Sequence, residues 1–144
     1  ETNDGMGKYI ADTVIGNLKN KNKDLNGIII TILGITFKEN VPDIRNTRVV
    51  DIITALRDHP VTIQVYDPYA DSLDVRSEYQ INMTEFDDLK SSDAVILAVS
   101  HDDFIVQGWA LISKLLNSED GVVYDIKSTL DRNNRPKNIN LLRL

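Results

Sequence analysis

Two short aliphatic runs constrain this chain more than anything else in it. Residues 28–33 read IIITIL and residues 94–99 read AVILAV. Neither alternates apolar with polar positions, so a strand built from either is buried on both faces, as central strands of a parallel sheet are. Val61, Ile63 and Val65 alternate with Thr62 and Gln64, the pattern of a strand with one wetter face. Residues 121–126, GVVYDI, supply a fourth strand.

Helical periods fall between these runs. Met6, Tyr9, Ile10, Val14 and Leu18 recur at spacings of three and four, which predicts a helix over 5–19 capped by Asn3 or Asp4. The polar run 19–27, KNKNKDLNG, is a solvated connection closed by glycine. Val49, Ile52, Ile53 and Leu56 share one helical face, and Pro60 follows its end. Residues 71–90 are acidic and mixed, with a short strand expected at 79–82 and a helix at 85–90. Ser100 and Asp103 resemble a capping pair opening a helix that carries Phe104 and Ile105, and a further helix is expected over 109–116. Residues 131–138 read as loop, after which Ile139, Leu141, Leu142 and Leu144 dock back on the core. Strands alternating with helices imply a three-layer α/β domain with a mostly parallel sheet. Residues 1–26 divide from it as a helix and linker, leaving 27–144 as the domain.

Composition narrows the function classes. A chain of 144 residues with 42% hydrophobic content makes about one domain with a real core. A net charge of −6 argues against a general nucleic-acid binder or an anionic-membrane binder. The absence of cysteine excludes disulfides, thiolate metal sites and a cysteine nucleophile within the chain, and fits a cytoplasmic protein. No signal peptide is visible, and no apolar run approaches the roughly 20 residues that cross a bilayer. The chain opens on Glu1 rather than Met. It is therefore expected to be a processed product or a segment of something larger.

The chemistry gathers where the strands end. Residues 31–47, TILGITFKENVPDIRNT, read as a strand, a turn at Gly34, a loop carrying Lys38, Glu39, Asp43 and Arg45, and a helix whose first turn holds Asn46 and Thr47. A strand that ends in a cationic loop and enters a helix N-terminus is a physical recipe for holding phosphate. Asp67 comes after the second strand, His101 and Asp102 after the third, Lys127 and Ser128 after the fourth. Three cations, Lys38, Arg45 and Lys127, therefore converge on one edge of an acidic protein. Each has a duller alternative. Arg45 can pair with Asp43, Asp67 before Pro68 is a turn former, His101 helps start its helix, and a lone lysine is a solvated one.

Several chemistries drop out. A dinucleotide fingerprint needs three glycines at the first turn, and here Gly34 is followed by Ile35, Thr36 and Phe37. No Walker-type loop or G-x-S-x-G elbow occurs. His59 and His101 stand alone, which argues against a histidine metal site. The pairs Asp87-Asp88 and Asp102-Asp103 are solvated faces, because neighbouring helical residues point apart.

The motif at 34–47, G-I-T-F-K-E-N-V-P-D-I-R-N-T, resembles the C-terminal, UDP-binding domain of the UDP-glucose/GDP-mannose dehydrogenase family. V-Y-D-P at 65–68, AVILAV with His101 and Phe104, and V-Y-D-I-K at 123–127 agree in order. Asn3-Asp4-Gly5-Met6 resembles the end of that family's interdomain helix. The wording K-E-N-x-P-D-x-R-N is closer to the UDP-N-acetylhexosamine 6-dehydrogenase branch, which includes the Vi polysaccharide type. The resemblance implies a Rossmann-like fold and an NAD-dependent, two-step oxidation of the sugar C6 hydroxyl to a carboxylate for surface polysaccharide. It also implies that NAD, the catalytic cysteine and an active-site lysine belong to domains preceding this one, so this chain alone is inactive. By the same likeness, Phe37 and Lys38 contact the nucleotide-sugar near uridine and phosphates, and Lys127 stands where some members place an arginine on UDP. Arg45 joins them as a substrate-site residue that, with Asn46, shapes the loop. Residues 3–19 are then the remnant of an interdomain helix that commonly forms a homodimer. The alternative is a non-catalytic α/β interaction or regulatory module, although the third strand ends in Ser-His and not in a phosphorylatable aspartate.

Overall fold

The computed structural model describes residues 4–21 and 24–144. Helix α1 spans Asp4–Asn20, and strand β1 spans Ile29–Leu33. The capping position expected at Asn3 lies outside the described residues. Helix α2 (Val49–Leu56) leads to β2 (Thr62–Tyr66), and α3 (Ser72–Tyr79) to β3 (Ala94–Leu97). Helix α4 (Asp102–Leu115) precedes β4 (Val122–Asp125) and β5 (Asn140–Arg143). The sheet order is β2-β1-β3-β4-β5, and every pairing is parallel.

Side-chain alternation divides the core into two layers. Ile30, Ile32, Ala94, Ile96, Val122 and Tyr124 point to one face, where Ile10, Val14 and Leu18 of α1 and Ile52, Ile53 and Leu56 of α2 cover them. Leu33, Val95, Leu97 and Val123 point to the other, under Phe104, Leu111, Ile112 and Leu115 of α4. Helices α1 and α2 approach closely at Gly7, where a Cβ would lie 2.6 Å from the Asp51 Cβ. One polar network crosses the sheet. The Thr31 hydroxyl bonds the Ser92 hydroxyl, and the Gln64 amide both donates to Lys90 O at 3.0 Å and accepts from Lys90 N–H at 2.8 Å. Satisfied polar groups there fix the segment before β3.

The structure corrects several sequence expectations. The C-terminal residues dock back on the core as expected but do so as a further strand, β5, with Val123 opposite Leu141, so that every pairing in the sheet is parallel. No strand forms at 79–82. Residues 72–79 are helical instead, because Asp71 accepts from the amides of Leu73 (2.9 Å) and Asp74 (3.1 Å) and starts α3. The helix expected at 85–90 contracts to one 3-10 turn, Phe86–Asp88. Helix α2 begins at Val49, since Asn46 has a left-handed φ of 60° and Thr47 Oγ1 accepts from Val49 N–H at 3.3 Å. Ser100 does not cap α4. Its hydroxyl bonds Thr129, and His101 occupies the cap position. The expected pair of helices over this stretch is present within α4, as two helical segments that meet at Gly108, whose φ of 51° breaks the helical path.

Candidate functional site

The chain runs from β1 outward to β2, then crosses back to β3 on the other side of β1. The switch point of this sheet thus lies between β1 and β3, and a crevice beyond their carboxyl ends is the expected ligand seat. A cleft of about 390 Å³ occupies that place. Its floor is apolar, with Ile10 and Ile52 from the helices and Ala98 and Val99 from beyond β3. Its rim carries three cations, Lys38 after β1, Arg48 at the entry to α2 and Lys127 after β4, with the carboxylates of Glu39 and Asp51 also in the lining. Phe37 stands beside Lys38 with 54% of its surface exposed.

The loop carrying Phe37 and Lys38 is held from beneath by buried polar groups. Gly34 turns the chain with a φ of 97° and packs so closely that a Cβ would lie 2.6 Å from the Val99 Cβ. Only glycine meets both demands. The next two amides, Ile35 and Thr36, donate to Asp67 Oδ2 at 2.7 and 3.1 Å. The other carboxylate oxygen of Asp67 accepts from Tyr69 N–H at 2.7 Å and Ala70 N–H at 3.2 Å. His101, fully buried, brings Nε2 to 2.9 Å from Asp67 Oδ2 and 3.2 Å from Thr36 Oγ1. Its Nδ1 accepts from Asn40 N–H at 2.9 Å. That bond leaves Nε2 as the protonated nitrogen, which donates to the carboxylate. Burial is the largest influence on Asp67 and pushes its pKa up, but the bonds from His101, Ile35 and Tyr69 together hold the carboxyl below its ordinary value.

The structure brings Phe37, Lys38 and Lys127 to one cleft and leaves Arg45 out of its lining. Arg45 forks onto Asp43 instead, with Nε 3.0 Å from Oδ1 and Nη2 3.1 Å from Oδ2. Lys38, Arg48 and Lys127 make no ion pair among the described residues. Arg48 is missed in sequence because the helix is expected there to start earlier. Its signal is its place immediately before the periodic run beginning at Val49. In sequence, Asp67 and His101 read as a turn former and a helix starter. Asp67 does form the turn, but the pair also joins three strand ends.

The turn after β1 does not fit a dinucleotide pyrophosphate. The amides of Ile35 and Thr36, which such a turn would offer, already hold the Asp67 carboxylate. Among the described residues no cluster of His, Cys, Asp or Glu is arranged to hold a metal ion. No helix among them is long and apolar enough to cross a membrane. A second groove, of about 550 Å³, runs between residues 113–119 and 136–139. It lies before β4 and β5, at the amino edge, away from the seat this topology favours.

An all-parallel sheet with a cationic cleft at its switch point, and no free dinucleotide turn, defines an α/β domain built for a smaller phosphorylated ligand. Residues 31–132 match the model of the UDP-glucose/GDP-mannose dehydrogenase family, UDP binding domain, and the chain belongs to that family. It is 37% identical over 129 residues to UDP-N-acetyl-D-glucosamine 6-dehydrogenase of Pseudomonas aeruginosa, covering 90% of this chain and 30% of that protein. It is 38% identical over 130 residues to the Salmonella typhi protein of the same name, covering 89% and 30%. The chain thus spans about 30% of the length of these relatives. In fold it resembles NDP-N-acetyl-D-galactosaminuronic acid dehydrogenase from Methanosarcina mazei, with a TM-score of 0.83 at 16% identity over 97% of this chain and 29% of that one. The expected Rossmann-like α/β class is thereby shown.

Proposed function

We propose that this chain is the nucleotide-holding domain of an NAD-dependent UDP-sugar 6-dehydrogenase that oxidises the sugar C6 hydroxyl to a carboxylate for surface polysaccharide. The observation that carries this reading is a set of three cations, Lys38, Arg48 and Lys127, without ion pairs among the described residues. They share an apolar-floored cleft with Glu39 and Asp51 in a chain of net charge −6. A diphosphate beneath a pyrimidine asks for that combination of point charges, a guanidinium fork and an exposed ring. Phe37 offers the ring and Lys38 and Lys127 the charges, while Arg45 shapes the loop through Asp43. NAD and the groups that react with the sugar belong to the remainder of a longer polypeptide, for which residues 1–26 supply the end of an interdomain helix and a linker. That polypeptide is a cytoplasmic homodimer in this reading, which the exposure of the apolar Met6 and Tyr9 on α1 supports.

The division of labour is physical. Binding energy realised at the UDP end, remote from the reacting carbon, holds the sugar in place for chemistry elsewhere. Calorimetric titration with UDP tests it. Lys38→Ala and Arg48→Gln are each expected to weaken UDP by about five- to tenfold, the loss of one charge-assisted contact. Unchanged affinity in both variants would overturn the assignment of the cleft.

A further inference from the structure

We infer that His101 and Asn40 are positioning residues for the cleft, a buried latch that sets where Phe37 and Lys38 stand. The inference rests on the reading of the cleft as a diphosphate site. Lys38 itself is exposed, and nothing in its own side-chain contacts fixes it. Its backbone, however, is bracketed on both sides. The Thr36 hydroxyl donates to Lys38 O at 2.9 Å, and Asn40 N–H donates to His101 Nδ1 at 2.9 Å. Phe37 N–H closes the loop onto Asp43 O at 2.7 Å.

Asn40 also reaches back. Its Oδ1 accepts from Asp102 N–H, the first residue of α4, at 2.8 Å, and its backbone holds a left-handed φ of 63°. Asn40 is exposed and adds nothing to the core, so its two bonds to the start of α4 serve the shape of this loop. His101 is the converse. A fully buried imidazole is costly unless both nitrogens are matched, and an apolar side chain would fill the space without that demand. One nitrogen is matched by the loop amide, and the other by Asp67 and Thr36. The two functions therefore reside on different ring atoms. Nδ1 holds the loop directly at Asn40, while Nε2 reaches it only through the Asp67 carboxylate and the Thr36 hydroxyl.

Substitutions that mimic one nitrogen at a time separate them. His101→Asn keeps an acceptor near the Nδ1 position but gives up the donor to Asp67. His101→Gln reaches toward Asp67 and gives up the acceptor for Asn40 N–H. On the intact protein, calorimetry with UDP should find His101→Gln weakened about fivefold and His101→Asn within about twofold of wild type, as loss of a single hydrogen bond implies. Denaturation midpoints should rank the opposite way, with His101→Asn the less stable. A purely structural role would make affinity follow stability, and that ordering would overturn the latch. Hydrogen exchange at the Asn40 amide reads the same bond without ligand. Protection in wild type and His101→Asn, lost in His101→Gln, supports the latch, and equal protection in all three overturns it. If wild type fails to bind UDP, the diphosphate reading falls while the exchange result still decides whether the loop is held. Should the buried substitutions fail to fold, the exposed Asn40→Ala is expected to weaken UDP severalfold, and wild-type affinity there counts against the proposal.

Discussion

At the scale of single residues, Asp67 is the group whose chemistry can be read most directly. Its carboxyl is held below the ordinary value of 3.8, against the pull of its own burial, by donors that require the ionised form. A depressed native pKa stabilises the fold fully above the unfolded value, and the stabilisation is lost as pH falls through the native value. The urea midpoint of wild type should therefore decline more steeply below about pH 4 than that of Asp67→Asn, which has no such charge to neutralise. Parallel curves would show that the carboxylate is not what acid attacks. Such residues are poorly legible in sequence. An aspartate before proline reads as a turn, and a single histidine has no partner within its own segment. Their meaning arises from strands that meet only after folding. That Lys38 and Lys127 share a cleft is legible, because the loops leaving the strands of a parallel sheet must gather at one edge, whereas Phe37 enters only through the family likeness.

At the scale of elements, legibility tracks burial. Strands β1 and β3 announce themselves through unbroken aliphatic runs, and α2 through a full apolar face. Helix α3 buries only Val75, so it carries no stripe to detect. It stands on its Asp71 cap and ends at Gln80, whose carbonyl accepts from the Arg57 guanidinium at 3.2 Å. Asp71→Ala should cost about 1 kcal/mol and fray α3 selectively, which hydrogen exchange of residues 73–79 would register. Strand β5 is hidden for a related reason. Its residues are all half-buried, and its place is secured by Arg143, which donates to Leu130 O and lies 3.5 Å from Asp125.

For the whole molecule, the contrast between a net charge of −6 and a cleft rimmed by three cations sets the expected response to ligands. UDP should raise the melting temperature of this 144-residue chain in proportion to the logarithm of its concentration, while NAD should not. Because the three cations are exposed, the UDP shift should shrink as salt shortens the screening length from about 10 Å at 0.1 M. A shift produced equally by NAD would mean that the turn after β1 does accept a dinucleotide.

That turn contains its own answer to the question of selectivity. Asp67 is a tethered anion seated where a free one would otherwise bind. Because the fold attaches it, it competes at an effective concentration that no dissolved cofactor reaches. A parallel sheet of this design would otherwise offer the turn after its first strand to any nucleotide. Here the discrimination needs no clash and no gate. One side chain from the neighbouring strand keeps the seat filled.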